Sequence, residues 1–151
     1  MKKNLVLLGM MAVGKSTIGK IVAKNQGLSF IDTDICIEKK NSMSIKEIFR
    51  KKGEKFFRME EKNEILKILK ANNCIIALGG GAFMNTTIRK NILKNCLSIW
   101  LDTSVKTLNE RSKWSQRRPM LNKVDNLDKL NQLYLERKNI YKLAHHKISC
   151  D

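Results

Sequence analysis

Proline occurs once in this 151-residue chain, and histidine, tyrosine and tryptophan twice each. With one proline there is no proline-rich linker, and no repeat or low-complexity stretch divides the chain. The length suits a single domain, residues 1–151, large enough to bury a core. No run of about 18 apolar residues exists, which excludes a membrane-spanning helix and makes a membrane partner unexpected. Cysteine is sparse and scattered. Cys36, Cys74, Cys96 and Cys150 form no C-x-x-C pair, which argues against a zinc site of the usual spacing. Three of the four stand in apolar runs, where cysteine behaves as a small core residue. A reducing cytoplasm is the simplest setting. Met1-Lys2-Lys3 before apolar 5–13 has the outline of a secretory signal. Gly9 interrupts the run, Gly-Lys-Ser-Thr ends it, and no small-residue cleavage site follows, so the segment reads as strand plus loop. Acidic residues are also few, 14 against 30 basic, for a net charge of +16. That balance invites a nucleic-acid reading. Yet 23 of the 30 are lysines spread along the chain, accompanied by 14 asparagines. This is a compositional bias over solvated helix faces; no nucleic-acid partner is expected, and the positive field suits anionic substrates.

What is present begins with residues 9–17. Gly9, Met10, Met11, Ala12, Val13, Gly14, Lys15, Ser16 and Thr17 match G-x-x-x-x-G-K-[ST] at every fixed position. Apolar residues 4–8 before it suit a buried strand, and Ile18, Ile21 and Val22 after it have helical spacing. Strand, glycine-rich turn and helix are the setting that a phosphate-binding loop requires. The loop N–H groups then converge on an anion at the positive end of the helix. Lys15 is placed to reach the β- and γ-phosphates of ATP, and the Ser16 hydroxyl to coordinate Mg²⁺.

A second short strand, 28–31, runs into Asp32-Thr33-Asp34. Ligands collect at the carboxyl ends of parallel strands, and in extended chain Asp32 and Asp34 point to one side. One carboxylate then holds Mg²⁺ through water and the other accepts a proton from an attacking hydroxyl; the plainer reading is a helix N-cap beside a surface acid. Ser44 and Glu47 have capping-box spacing, with Ile45, Ile48 and Phe49 as an apolar stripe that Gly53 breaks. A longer helix over 54–71 carries Arg58 and Glu61 three apart on one face. They suit either a surface ion pair or an arginine that grips a carboxylate with its planar fork. A third strand, 74–78, ends in Gly79-Gly80-Gly81, which suits close ligand approach to the backbone or a flexible turn. Asn85 or Thr86 caps a helix, 97–101 is a fourth strand, and 102–111 reads as turn and helix. Residues 112–124 are polar, with Lys113, Arg117, Arg118 and Pro119. They suit a lid that brings an arginine onto the transferring phosphate, or a solvated loop. A last helix, 126–144, carries Arg137 and Tyr141, and 147–150 is a final short strand.

Taken together, the chain closely resembles the shikimate kinase family. The resemblance rests on the phosphate loop, Asp32-Thr33-Asp34, Phe57-Arg58-Met59-Glu60-Glu61, Gly79-Gly80-Gly81-Ala82, Arg118-Pro119-Met120-Leu121, and Arg137 four before Tyr141. It implies an α/β three-layer P-loop kinase fold, with a five-stranded parallel sheet of order 2-3-1-4-5 flanked by helices, substrate-binding helices over about 35–71 and a mobile lid over about 112–124. It implies a cytoplasmic, monomeric enzyme that transfers the ATP γ-phosphate to the 3-hydroxyl of shikimate with Mg²⁺, on the way to aromatic amino acids. By that resemblance Asp34 binds the ring hydroxyls and is the base, while Asp32 places Mg²⁺ through water. Arg58 and Arg137 grip the shikimate carboxylate, with Gly79, Gly80 and Gly81 lending backbone and Glu61 orienting Arg58. Arg118 closes onto the phosphates and Arg111 lies against adenine. Family members continue past the last strand into an adenine-contacting loop and a final helix, and this chain ends at Asp151. Gluconate kinase is the nearest enzymatic alternative, but it is not expected to combine these motifs. A non-catalytic nucleotide- or nucleic-acid-binding module would have no need of Asp34, Arg58 and Arg137.

Overall fold

A computed structural model describes residues 4–113 and 126–151. Most of the expected lid, with Arg117 and Arg118, lies outside the described residues. Five strands, β1 (Leu5–Leu8), β2 (Ser29–Asp32), β3 (Cys74–Ala77), β4 (Leu97–Asp102) and β5 (His146–Ser149), form one sheet in the order β2-β3-β1-β4-β5. Every pairing is parallel, so the order 2-3-1-4-5 is met. Parallel strands need helical crossovers, and among the described residues six helices supply them: α1 (Lys15–Gln26), α2 (Thr33–Asn41), α3 (Ile45–Ile68), α4 (Thr86–Asn95), α5 (Val105–Ser112) and α6 (Asn126–Tyr141). A single 3-10 turn, Ala82–Met84, precedes α4; it gave no sequence signal.

Burial follows position in the sheet. The inner strands read as near-continuous apolar runs because helices cover both faces. Val6, Leu7, Leu8, Ile75, Ile76, Trp100 and Leu101 are buried, while all four residues of edge strand β5 are exposed. Helix ends follow local chemistry. Ser44 accepts from Glu47 N–H at the start of α3, Asn85 from Ile88 N–H at the start of α4, and Ser104 from Thr107 N–H at the start of α5. A left-handed Gly27 closes α1. The expected break at Gly53 is present: its φ of 85° and ψ of 166° are non-helical inside α3. A continuous helix would separate residues 49 and 57 by about 12 Å along its axis. The chain turns instead, and the Phe49 and Phe57 rings stand 4.9 Å apart. With Ile37, Ile45 and Ile48 they make a second small core between α2 and α3, separate from the main one. α3 ends at Ile68 rather than near Ala71, and α6 at Tyr141 rather than Ala144. Among the described residues no helix is long and apolar enough to cross a membrane.

One local expectation is corrected. Asp34 is not in extended chain: β2 ends at Asp32 and Asp34 lies in the first turn of α2. The reason is the cap. Asp32 Oδ1 accepts from the N–H groups of Asp34 (2.9 Å) and Ile35 (3.2 Å), which starts the helix at Thr33.

Candidate active site

The carboxyl ends of β1, β2 and β3 open into one cleft of about 370 Å³. β1 delivers the phosphate loop. Gly9 has a φ of +143°, and a Cβ there would stand 2.4 Å from the Leu101 carbonyl oxygen of β4. Gly14, at φ +107°, turns the loop into α1. Ala12 also holds a positive φ, 68°, which costs an L-residue about 1–2 kcal/mol. Lys15 Nζ donates to the carbonyls of Gly9 (2.8 Å) and Met10 (2.9 Å), so the lysine folds back over its own loop.

β2 delivers the two aspartates. Asp32 divides its work between its oxygens: Oδ1 caps α2, while Oδ2 accepts from the Ser16 hydroxyl at 2.6 Å. Of the two readings open in the sequence, the cap is present, and it leaves the second oxygen free to meet the phosphate-loop serine. Thr33 is fully buried, and its hydroxyl accepts from Gly79 N–H at 3.0 Å, tying the start of α2 to the glycine loop after β3.

The glycine loop is where the charged side chains meet. A Cβ on Gly79 would lie 2.8 Å from Asp34 Oδ1 and 3.1 Å from Glu61 Oε2. On Gly80 it would lie 3.3 Å from Arg137 Nη1, and on Gly81 2.7 Å from both terminal nitrogens of Arg58. The three glycines therefore clear space for four charged groups of this chain.

Arg58 Nη1 donates to Glu61 Oε1 at 2.9 Å. Glu61 is 2% exposed, and its pKa is raised. Burial is the main cause, Arg58 opposes it, and Asp34 adds a like-charge push. Arg137, on α6, is 6% exposed, and its Nη1 has no hydrogen-bond partner among the described residues. A buried guanidinium nitrogen without an acceptor is costly unless a ligand supplies one. Arg58 and Arg137 converge on adjacent glycines, so two forks face one end of the cleft. Phe49 and Phe57 line the cleft beside them. At the other end Arg111 lines the cleft and donates to the Val13 carbonyl at 3.1 Å.

This arrangement suits two anions: a polyphosphate over the phosphate loop and a small carboxylate between two arginines, with Asp34 between. The shikimate kinase family model matches residues 11–151. The chain belongs to the shikimate kinase family. Shikimate kinase of Bacillus subtilis is 45% identical over 152 residues, covering 99% of this chain and 81% of that protein. A structure of shikimate kinase from Acinetobacter baumannii in complex with shikimate superposes with a TM-score of 0.96 at 30% identity, covering all of this chain and 85% of that one. A gluconokinase from Sinorhizobium meliloti reaches a TM-score of 0.57 at 13% identity over 98% of this chain and 82% of that one, a likeness of fold alone.

As a shikimate kinase family member, the chain is an ATP-using kinase, and most residues singled out in the sequence lie along one cleft. Met11, Ala12, Gly14, Lys15, Ser16, Thr17, Asp32, Asp34, Arg58, Glu61, Gly79, Gly80, Gly81, Arg111 and Arg137 all line the cleft, while Gly9 and Val13 are buried. The sequence reading missed Phe49 and Ile45 as cleft residues because their i, i+4 spacing was that of a core stripe. It also missed Thr33, whose one signal was its place between the two aspartates.

Proposed function

We propose that this chain transfers the γ-phosphate of ATP to the 3-hydroxyl of shikimate, giving shikimate 3-phosphate for aromatic amino acid synthesis. The observation that carries the reading is the single cleft joining a phosphate loop to a pair of converging arginines, one with a buried, unpartnered Nη. Arg58 and Arg137 bind the shikimate carboxylate as two planar forks. Glu61 fixes Arg58 through their 2.9 Å ion pair. Asp34, on the first turn of α2, binds the ring hydroxyls and takes the proton from the attacking one. Lys15 leaves the Gly9 and Met10 carbonyls for the phosphates, and the loop N–H groups hold the β-phosphate. Arg118 is assigned to the phosphates on the Arg118-Pro119-Met120-Leu121 motif alone, and Arg111 to the adenine side of the cleft. The donor set fits Mg²⁺, because the Ser16 hydroxyl and an Asp32 carboxylate oxygen, both hard oxygen ligands, are 2.6 Å apart. Ser16, and Asp32 through water, would hold Mg²⁺, which would supply neutralisation of phosphate charge. Four cysteines without disulfides support a cytoplasmic setting, and we take the working unit to be a monomer.

The direct test is ADP release with shikimate, with gluconate and with neither, each with and without Mg²⁺. Release that requires both shikimate and Mg²⁺ is expected. Equal release with gluconate, or none from folded protein, rejects the reading.

Glu61 gives this site a pH signature. Its raised pKa means that it takes up a proton above the ordinary glutamate range, near 4.3, and then releases Arg58. KM for shikimate should rise on the acid side, starting above that range. The sign for stability is the opposite: a raised folded-state pKa contributes stability below the unfolded value, and that contribution is lost as pH rises through the folded one. Glu61→Gln should therefore flatten the acid limb of KM without collapse of Tm at neutral pH. The same acid limb in both proteins would remove Glu61 from this role.

A further inference from the structure

We infer that Tyr141 is a positioning residue for shikimate recognition: its buried hydroxyl fixes the Gly80–Gly81 peptide so that the loop presents backbone N–H to the substrate carboxylate. The inference rests on the reading of Arg58, Arg137 and the glycine loop as the shikimate site. Tyr141 is fully buried near the end of α6. Its ring packs on Trp100 of β4, centroids 5.7 Å apart and planes tilted by 38°. The hydroxyl donates to the Gly80 carbonyl. The Arg137 guanidinium, one turn earlier on α6, lies close enough to act on it. Burial pushes the phenol up to about 12, against the pull of Arg137. The O–H is thus a donor throughout the working pH range.

Three consecutive glycines have no intrinsic preference for one backbone path, so the path must be held from outside. Among the described residues each peptide has its own fastener. Gly79 N–H donates to Thr33, Ala82 N–H to the Gly79 carbonyl, and Met84 N–H to the Gly81 carbonyl. The Gly80–Gly81 peptide is held by Tyr141. A trans peptide is planar, with C=O and N–H pointing opposite ways. Turning the Gly80 carbonyl toward buried Tyr141 therefore turns Gly81 N–H away from it, and Gly80 and Gly81 both line the cleft. Helix α6 thus contributes twice at one end of the cleft, with Arg137 directly and with Tyr141 through the backbone.

Tyr141→Phe keeps the ring against Trp100 and removes only the hydroxyl. Kd and KM for shikimate should rise about tenfold, the loss expected from one misplaced backbone contact, with Kd for ATP unchanged. Trp100→Phe loosens the same packing without removing the hydroxyl. It should lower Tm and leave the shikimate Kd within about twofold, below the size of one hydrogen bond. Hydrogen exchange on the unaltered protein gives an independent reading: Gly81 N–H should slow on addition of shikimate. Arg58→Ala, measured in parallel, separates the two levels. If it binds shikimate normally, the site reading fails and this inference falls with it. If Arg58→Ala is defective while Tyr141→Phe is normal, or Tyr141→Phe weakens ATP and shikimate alike, the positioning role alone is overturned. Exchange at Gly81 that is indifferent to shikimate overturns it as well.

Discussion

Lys15→Met should reduce kcat by at least about a hundred- to a thousandfold, the cost of deleting one preorganised charge or donor at a reacting centre, while the protein stays folded. Both halves follow from where the ammonium sits. It lies at the phosphate loop and donates to two loop carbonyls, Gly9 and Met10, and the main core holds no part of it. Its removal forfeits two part-buried hydrogen bonds, of which each is worth about 1 kcal/mol net. A small fall in Tm is therefore expected, and circular dichroism should be unchanged. Steady-state turnover with a melting curve on the same sample decides it. A large fall in Tm would mean that the lysine holds the loop together, and loss of activity could not then be assigned to the phosphate. Methionine is the apt replacement, because it is an unbranched chain of nearly the same length that lacks the ammonium and its donors.

Arg58→Ala and Arg137→Ala should each weaken shikimate binding by about 1.5–3 kcal/mol, roughly ten- to a hundredfold, and leave ATP binding nearly untouched. Their effects on stability should differ. Arg58 is half-buried and partners Glu61, which is buried; removing the arginine leaves that carboxyl without its charge partner. Arg137 is itself the group without an acceptor at Nη1, so its removal relieves a desolvation cost as well as losing packing. Arg58→Ala should therefore lower Tm more than Arg137→Ala, although both damage binding. Calorimetry with each ligand and a melting curve for each variant test this. Normal shikimate binding in both variants would dismiss the carboxylate clamp. A lower Tm for Arg137→Ala would mean that its stem, not its charge, is what the core depends on.

The parts of this molecule that were legible in the sequence are those that local chemistry fixes. A run of apolar residues, a glycine-rich turn and a helical stripe specify β1, the phosphate loop and α1 without reference to anything distant. The strand ends carrying Asp32-Thr33-Asp34 and Gly79-Gly80-Gly81 were legible for the same reason, and the family motifs brought them to one cleft. What was illegible depends on contacts across the chain. Asp34 is the exception, because extended chain and a cap by Asp32 are both local readings, and the cap wins through the N–H groups of Asp34 and Ile35. Phe49 and Phe57 had core spacing, and only the turn at Gly53 makes them neighbours beside the cleft. Arg58 and Glu61 were an ion pair or a substrate clamp on spacing alone; the structure pairs them at 2.9 Å and buries Glu61 near Asp34 and a second arginine, a setting no spacing could give. Tyr141 was visible as a motif position, but its hydrogen bond spans 61 residues of sequence.

The three glycines have a consequence for anyone who engineers this pocket. What a side chain would meet at Gly79 and Gly81 is the far end of Asp34, Glu61 or Arg58, and these are flexible ends that can swing aside. Alanine there displaces the working groups and leaves the scaffold standing. A library sorted by thermal resistance would pass such variants, and one sorted by turnover would discard them. Selection for robustness alone would thus fill this loop with folded, inert proteins. Retuning for a new acid is better sought at Phe49, which lines the cleft and is only partly buried, than at Phe57, whose ring lies under the Arg58 guanidinium.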